Sequence, residues 1–251
     1  MQVIFLGTGT IYPDPERRSP GLVLKDGKKI MVFDSGPGTW FRLSEAGLDF
    51  RKVSTLFYSH VHLDHILDYP AYLFLTHNPE FKRKAPLEVF APRIFQKFDN
   101  TLKKMFGTWM SPFDQPVNIH PLPRKKAVSK LGDLKVTSGP VKHTDVSLAF
   151  RIDKGKKSFV YSGDVEYCRE IVKLAEGADL LVTECAHPEG KKMPGHLVPS
   201  EAGRIARAAG VKKLALTHFY PDCKGKDMIT PAQKEFDGEV IIATDLMKLQ
   251  V

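Results

Sequence analysis

The sequence predicts an α/β protein that forms a single domain over residues 1–251. Short β-branched segments alternate with segments of helical periodicity along most of the chain, a pattern typical of sheets covered by helices. The length alone permits one large domain or two small ones. Because no low-complexity linker divides the chain, we expect one domain.

The N-terminal third leads, strand by strand, into a histidine-rich segment. A helical pattern covers Thr39–Ala46 and ends at Gly47. The last predicted strand runs directly into His60, so the histidines lie where a strand ends, the usual place for catalytic groups on a rigid sheet. The predicted strands, which Pro, Asp and Gly residues separate, are Gln2–Leu6, Leu22–Lys25, Ile30–Phe33 and Thr55–Tyr58.

The segment from residue 66 to residue 122 is rich in Phe, Pro and Lys. Phe106–Pro116 is predicted to be a loop, and residues 76–118 around it are a candidate lid over the site. Most aromatic side chains here are expected to pack in the core, whereas Trp109 and Phe113 are the two expected to touch substrate. The regular elements predicted are a helix at Ile66–Leu75, a strand at Leu87–Phe90 and a helix near Pro92–Lys104.

The C-terminal half returns to a clear alternation of strands and helices. One helix has well-marked limits, because Pro199 and Glu201 open it and Gly210 ends it. The predicted helices are Tyr167–Ala175, Pro199–Ala209 and Pro231–Phe236. The predicted strands are Leu134–Ser138, Leu148–Ile152, Phe159–Ser162, Leu180–Thr183, Leu214–Thr217 and Val240–Ala243.

Four potential metal ligands lie close together in His60-Val61-His62-Leu63-Asp64-His65. On an extended segment His60, His62 and Asp64 point to one side, whereas His65 points away unless the chain turns. A turn at Leu63–Asp64 would let His60 and His62 hold one ion while Asp64 and His65 hold another. Imidazole and carboxylate ligands suit zinc, and also manganese or iron. The cluster therefore predicts a hydrolytic site for two divalent metal ions, with zinc favoured.

Three further candidate ligands follow apolar strands in the C-terminal half, namely His143, Asp164 and His218. Each lies at the carboxyl end of its predicted strand, where a sheet edge can present it. An isolated histidine is more typical of an ordinary core or surface position. Together with the cluster, however, these residues can complete a two-ion site, and Asp34 is expected to orient ligand histidines.

Composition and net charge indicate which kinds of binding partner to expect. The net charge of +8, with basic clusters such as Lys82-Arg83-Lys84 and Arg124-Lys125-Lys126, favours anionic partners such as phosphate esters or nucleic acid. No apolar run is long enough to span a membrane, and Met1–Gly7 lacks the features of a signal peptide. A cytoplasmic protein without membrane association is therefore expected. The three cysteines are too widely spaced to indicate a disulfide framework or a cysteine zinc site.

The order of these motifs resembles the metallo-β-lactamase superfamily. The match begins at Phe5-Leu6-Gly7-Thr8-Gly9-Thr10 and Phe33-Asp34-Ser35-Gly36-Pro37-Gly38, continues through HxHxDH and Gly-Asp, and ends at Thr217-His218-Phe219. This resemblance implies a four-layer αββα sandwich, in which two mixed sheets pack between helices and hold the ions at one edge. It also implies that the first ion is held by His60, His62 and His143, the second by Asp64, His65 and His218, and both by Asp164.

Two segments resemble the phosphodiesterase branch of this superfamily, which includes ribonuclease Z. They are Thr183-Glu184-Cys185-Ala186-His187 and Pro194-Gly195-His196-Leu197. The resemblance implies that Glu184 and His196 form a pair near the scissile phosphate, where the carboxylate orients the imidazole and raises its pKa for proton donation. Asp64 is expected to orient a hydroxide that bridges the ions. His62 favours hydrolysis, because diiron proteins of the superfamily usually carry glutamate there, and His187 is expected to have no role.

One departure argues against a tRNA substrate. Bacterial ribonuclease Z carries a long Gly/Pro-rich arm that grips tRNA, between the counterparts of His143 and Asp164. Here twenty residues separate these positions, which is enough for one hairpin. The sequence thus predicts a phosphodiesterase for a small or cyclic phosphodiester or a nucleotide. Hydrolysis of carboxylic or sulfate esters or lactones, tRNA 3′-end processing, a non-catalytic nucleic-acid-binding module, RNA as a partner and a homodimer stay as alternatives.

Overall fold

The structure is a computed structural model, which describes residues 1–83, 85–111 and 115–251. Its helices are α1 (Thr39–Glu45), α2 (Leu63–Ile66), α3 (Asp68–His77), α4 (Phe95–Phe106), α5 (Arg169–Ala175), α6 (Pro199–Ala209) and α7 (Thr230–Gln233). Its strands are β1 (Gln2–Gly7), β2 (Gly21–Asp26), β3 (Lys29–Ser35), β4 (Val53–Phe57), β5 (Leu87–Pro92), β6 (Val117–Leu122), β7 (Ala127–Leu131), β8 (Leu134–Pro140), β9 (Leu148–Lys154), β10 (Lys157–Tyr161), β11 (Leu180–Glu184), β12 (Lys213–Thr217), β13 (Glu239–Ile242) and β14 (Lys248–Gln250).

The strands form two mixed sheets of seven strands each. The first sheet has the order β14-β1-β2-β3-β4-β5-β6, and the second has the order β13-β12-β11-β10-β9-β8-β7. In this spatial order, neighbouring strands from β14 to β3 run antiparallel to each other, and neighbouring strands from β3 to β6 run parallel. In the second sheet, pairs from β7 to β10 are antiparallel and pairs from β10 to β13 are parallel. Each sheet therefore collects the carboxyl ends of its parallel strands at one edge.

Three apolar clusters define the layers. Phe33 and Phe150, one from each sheet, belong to the cluster between the sheets, and their ring centroids lie 6.1 Å apart. Tyr69 of α3 and Phe95 of α4 belong to a second cluster that covers the outer face of the first sheet. Ile205 of α6 belongs to a third cluster on the outer face of the second sheet. The predicted four-layer αββα sandwich is therefore confirmed.

Helix α6 has the predicted limits, for the predicted reasons. It begins at Pro199, and the Glu201 carboxylate accepts a hydrogen bond from the backbone N–H of Val198 at 3.3 Å. It ends at Gly210, which has a φ of 61°, in the left-handed region that favours glycine. Local sequence signals alone were sufficient for this element.

Two predicted helices differ from the structure. The helix predicted at Ile66–Leu75 is two helices, α2 and α3, that meet at Leu67. Pro70 lies in the first turn of α3, where its missing N–H has no helical partner to lose. The helix predicted at Pro231–Phe236 is the short α7, which includes Thr230 and ends at Gln233.

Three strands were not predicted, namely β6, β7 and β14. The first two show alternating burial, and all three lie at sheet edges. Exposed polar residues such as Asn118, Lys130 and Lys248 interrupt them, so they lack the continuous apolar run by which buried strands are recognised. The predicted loop Phe106–Pro116 contains a 3-10 helix at Gly107–Met110, and Phe113 lies outside the described residues.

Among the helices that the structure describes, none has the length and apolar character needed to cross a membrane.

Candidate metal centre

The seven predicted metal ligands lie near strand ends. The cluster of four follows β4, His143 follows β8, Asp164 follows β10 and His218 follows β12. Helix α2 begins at Leu63, directly after His62, and this provides the turn predicted at Leu63–Asp64. The turn carries Asp64 and His65 away from His60 and His62, so that the cluster divides into two groups.

The first group of potential ligands is His60, His62, His143 and Asp164, with ligand atoms that all lie within 4.8 Å of one another. Nδ1 of His62 lies 3.2 Å from Nε2 of His143. Oδ2 of Asp164 lies 3.8 Å from Nε2 of His60 and 3.6 Å from Nε2 of His143. Four donor atoms thus converge on one point, as a cation requires.

The second group is Asp64, His65 and His218. Oδ2 of Asp64 lies 3.7 Å from Nε2 of His65 and 3.5 Å from Nε2 of His218. The other oxygen of Asp164, Oδ1, faces this group, at 3.3 Å from His65 and 3.4 Å from His218. Asp164 therefore presents one carboxylate oxygen to each group, which is the arrangement of a bridging ligand.

Unpaired polar atoms provide an independent test of whether metal ions fit. Four buried atoms that face the two groups have no hydrogen-bond partner within the described residues: Nε2 of His60, His65 and His218, and Oδ1 of Asp164. Leaving a buried polar atom unpaired costs about 1–3 kcal/mol. Four such atoms in one place are unfavourable in a closed core, whereas metal ligation would satisfy all of them. The donor set therefore fits divalent ions.

Hydrogen bonds fix the orientation of three ligand histidines. Nδ1 of His60 lies 2.9 Å from the Ser59 hydroxyl, and Nδ1 of His143 lies 2.9 Å from the carbonyl oxygen of Gly195. Nδ1 of His65 lies 2.8 Å from Oδ2 of Asp34. Because each Nδ1–H donates to an oxygen, each Nε2 keeps its lone pair for a metal ion.

Asp34 anchors this outer network. Its carboxylate accepts hydrogen bonds from the backbone N–H and the hydroxyl of Ser59, from His65 and from the phenol of Tyr161, at 2.7–2.8 Å. Asp34 has a φ of 54°, a strained backbone state for a residue with a side chain. Close packing helps to hold it, since a Cβ atom on Gly36 would meet the backbone oxygen of Asp64 at 1.8 Å.

The charge states of His60, His62 and Asp164 suit ligation. Burial lowers the pKa of His65, but Asp164 and Asp34 outweigh it and raise that pKa well above its ordinary value, so His65 must lose a proton to bind an ion. Burial lowers the pKa of His60 well below its ordinary value, and the neighbouring His65 lowers it further. Burial also lowers the pKa of His62. Burial alone would raise the pKa of Asp164, but His218 and His65 outweigh it and hold that pKa well below its usual range. Neutral imidazoles and an ionised carboxylate are the forms that bind metals.

Glu184 and His196 form the pair expected from the sequence. Nδ1 of His196 lies 3.0 Å from Oε1 of Glu184. The buried Glu184 carboxylate also accepts the backbone N–H groups of Val165 and Leu197. Burial lowers the pKa of His196, but the hydrogen bond to Glu184 and its charge outweigh burial and raise the pKa to about 9. His196 also lies within ligand distance of Asp164 and His218.

Two ring side chains beside the centre, those of Tyr220 and His187, were not predicted from the sequence to belong to the site. The Tyr220 ring lies 5.9 Å from the rings of both His196 and His218. His187, for which no role was expected, stacks on Tyr220 at 4.7 Å. Their positions just after β11 and β12 were the available signal. Trp109, predicted to touch substrate, has ring contacts with Phe74 and His77 among the described residues, and the predicted substrate contact stays a prediction.

Comparisons with known proteins agree with this architecture. The sequence family described as “Beta-lactamase superfamily domain” matches residues 31–219. Ribonuclease Z of Methanothermobacter thermautotrophicus is 29% identical over 304 aligned positions, which cover 100% of this chain and 97% of that protein. Ribonuclease Z of Thermococcus onnurineus is 31% identical over 87% of this chain and 84% of its own length. The expected family resemblance is therefore confirmed.

A solved structure shows the same fold. The metallo-β-lactamase fold protein YhfI from Bacillus subtilis superposes with a TM-score of 0.83 and 23% identity, over 99% of this chain and 98% of that chain.

The alignment with the Methanothermobacter protein spans 304 positions against the 251 residues present here, so parts of that relative have no counterpart in this chain. Between His143 and Asp164 the structure has only the hairpin of β9 and β10, in which Lys154 pairs with Lys157.

Proposed function

The chain belongs to the metallo-β-lactamase superfamily, in its ribonuclease Z-like branch of hydrolases, and on this premise we propose that it is a two-ion phosphodiesterase for small substrates. The substrate class is a cyclic phosphate or a short nucleotide. The superfamily contains hydrolases of several ester types, so the choice among them depends on the groups beside the metal ligands.

The observation that carries this proposal is the Glu184–His196 pair. A buried carboxylate 3.0 Å from Nδ1 makes His196 a cationic proton donor beside the two ligand groups. Hydrolysis of a phosphodiester places negative charge on the phosphoryl oxygens and requires a proton for the leaving alkoxide. A lactone or carboxylic ester also releases an alkoxide that needs a proton, but its negative charge develops on one oxygen, whereas a phosphodiester spreads the charge over several oxygens that a second cationic group can stabilise.

The roles of the residues follow from their positions. His60, His62 and His143 would hold one ion, Asp64, His65 and His218 the other, and Asp164 both. Bound divalent ions supply Lewis acidity and activate water at neutral pH. Asp64, which is 15% exposed, can also accept a hydrogen bond from the attacking water and so orient it. His196 would donate its proton to the leaving alkoxide, while Glu184 holds its ring in place.

The short β9–β10 hairpin supports a small substrate. Its turn consists of Gly155 and Lys156, so no long insertion extends from this part of the chain. A protein that grips a folded RNA needs an extended basic surface to contact many phosphates. A small phosphodiester needs only the metal centre and its immediate walls.

A substrate panel tests the proposal. Protein loaded with zinc or manganese is expected to hydrolyse bis(p-nitrophenyl) phosphate and 2′,3′-cyclic nucleotides faster than aryl esters, aryl sulfates or lactones. A chelator should abolish the turnover, and adding the metal back should restore it. Turnover of an ester, sulfate or lactone without any phosphodiester turnover would refute the proposal.

The second candidate is tRNA 3′-end processing. It is favoured by the ribonuclease Z relative whose alignment covers 100% of this chain. Incubation with a precursor tRNA separates the two candidates. The small-substrate proposal predicts inefficient cleavage of the precursor relative to bis(p-nitrophenyl) phosphate, whereas specific cleavage at the 3′ end of the mature tRNA would favour the second candidate.

A further inference from the structure

His187 and Asp222 form a second imidazole–carboxylate pair beside His196. Nδ1 of His187 lies 3.3 Å and 3.2 Å from the two carboxylate oxygens of Asp222. The His187 ring stacks on Tyr220 and lies edge to face with His196, with centroids 6.0 Å apart. Among the described residues, His187 belongs to none of the potential metal-ligand groups. The pair is therefore close to the reaction site but has no role in the mechanism above.

The fold holds this pair at the wall of the metal centre. His187 follows β11 and Asp222 lies after β12, two parallel neighbours whose ends also carry Glu184 and His218. The backbone N–H of Tyr220 donates to the carbonyl oxygen of Ala186 at 3.0 Å, which joins the two loops. The His187 side chain is 13% exposed, so it is fixed on most sides yet still reaches the surface.

Asp222 determines which ring nitrogen of His187 carries the proton. A carboxylate offers only lone pairs, so Nδ1–H must donate to it, and Nε2 of the neutral ring is then an acceptor. An acceptor can pair with a hydroxyl group, which has a proton to donate. It does not pair with a non-bridging phosphate oxygen, which carries only lone pairs. With its ring neutral, the pair is thus suited to the alcohol portion of a substrate rather than to its phosphate.

We propose that His187, held by Asp222, accepts a hydrogen bond from a sugar hydroxyl adjacent to the scissile phosphodiester. This inference rests on the proposed phosphodiesterase function and narrows its preferred substrate to a ribonucleotide with a 3′,5′ linkage, in which the 2′-hydroxyl is free, rather than a 2′,3′-cyclic phosphate. A 2′-hydroxyl is the group by which a protein distinguishes a ribonucleotide from its deoxy form. His196 serves the leaving oxygen, and His187 recognises the neighbouring hydroxyl of the same sugar.

The test compares ribo and deoxyribo ligands that are otherwise identical. In metal-loaded protein, kcat/KM is measured for uridylyl-uridine and its 2′-deoxy counterpart, and Kd is measured by calorimetry for uridine 3′-phosphate and 2′-deoxyuridine 3′-phosphate. One neutral hydrogen bond corresponds to a preference of about 3- to 10-fold for the ribo form. In His187→Phe, which keeps the stack on Tyr220, the preference should fall to near one.

Two more variants complete the experiment. Asp222→Asn no longer fixes the Nδ1–H form, so it should also reduce the ribo preference. His120→Phe is the matched control, because His120 also contacts a carboxylate, that of Glu88, and stacks on an aromatic ring, that of Phe90, but lies on the edge strand β6. This variant should keep the full ribo preference. A ratio of two substrates does not depend on the amount of folded enzyme.

Each outcome decides the inference. A ribo preference in the wild type that is lost in His187→Phe supports it, and a wild type without any ribo preference overturns it. An equal weakening of ribo and deoxy ligands in His187→Phe also overturns it, because the imidazole would then contact the phosphate. Ribo-selective binding without any phosphodiester turnover would refute the proposed function but leave the hydroxyl recognition standing.

Discussion

The two halves of the molecule have the same strand topology but contribute to the metal centre in different ways. Strands β1 to β6 and strands β8 to β13 each begin with antiparallel neighbours and continue with parallel ones. The first half provides four candidate ligands from the single segment that follows β4 and enters α2, whereas the second provides three from the ends of three strands. The same architecture thus allows both a local and a dispersed ligand set.

Two aspartates at corresponding strands show how the two halves differ in the role of a buried carboxylate. Asp34 lies near the end of β3 and Asp164 follows β10, its counterpart in the second half. The Asp34 carboxylate accepts four hydrogen bonds, three at Oδ2 and one at Oδ1, so both of its oxygens already have protein partners. Oδ1 of Asp164 accepts no hydrogen bond in the described part of the chain and faces only the imidazoles of His65 and His218. The number of nearby donors therefore separates a carboxylate that is suited to orient the histidines from one that is suited to bind the ions.

The largest effect is expected at Asp164. In Asp164→Asn the carboxylate that faces both ligand groups becomes a neutral amide, so the bound metal should fall from about two ions per chain. Hydrolysis of bis(p-nitrophenyl) phosphate should fall about 1,000-fold or more, because bound ions supply several kcal/mol of transition-state stabilisation. Metal content and kcat/KM are the measurements. Full metal content with near-normal activity would show that Asp164 does not bridge the ions.

The next largest effect is expected at His196. Removing a positioned proton donor typically costs about 100- to 10,000-fold in rate, so His196→Ala should lose activity to this extent while it keeps its metal. Glu184→Gln should lose activity in the same direction, since it removes the charge that holds the ring. Because His196 also lies near Asp164 and His218, loss of an ion from His196→Ala would reveal a ligand instead of a proton donor.

The same contrast between local and dispersed features explains what the sequence could predict. The candidate ligands between His60 and His65 are close in sequence, and His143, Asp164 and His218 each follow an apolar strand, so the pattern alone could identify all of them as candidates. The contact between His187 and Asp222 joins residues 35 positions apart and has no local pattern. Asp34 was predicted to orient histidines, but its partner Tyr161, 127 positions away on the other sheet, becomes visible only when the sheets pack.

A smaller effect is expected at Asp34. In Asp34→Asn one oxygen acceptor becomes an N–H₂ donor that must face another donor, since all four of its contacts are donors. His65 then loses its fixed orientation, and metal affinity should fall about 10- to 100-fold, as for other residues that orient a ligand. Competition with a chromophoric chelator measures this affinity.

Asp179→Asn is the matched control for Asp34→Asn. Asp179 is also largely buried and accepts hydrogen bonds from the backbone and hydroxyl of Ser158 and from Lys212. It lies just before β11, at the opposite end of that strand from Glu184. Its replacement should lower stability without changing metal affinity. Equal losses of affinity in both variants would mean that general destabilisation, not orientation of His65, weakens the metal site.

The smallest effect is expected at Tyr161, whose phenol donates a hydrogen bond to Asp34 from the second sheet. Burial raises the pKa of Tyr161 well above its ordinary value and Asp34 raises it further, so the phenol remains a donor. Tyr161→Phe removes one of the four hydrogen bonds to Asp34, and metal affinity should fall only about 2- to 10-fold, the contribution of one hydrogen bond. Zinc competition and thermal unfolding are the measurements.

Tyr58→Phe separates the two roles that Tyr161 can have. Tyr58 is equally buried and its phenol lies 2.7 Å from the Ser35 hydroxyl, but its bond does not reach Asp34. Both variants should unfold more easily, by about 1 kcal/mol for a lost buried hydrogen bond, and only Tyr161→Phe should bind zinc more weakly. If both lose stability and neither loses affinity, the bond from Tyr161 only ties the two halves together, and the orientation of His65 depends on the first half alone.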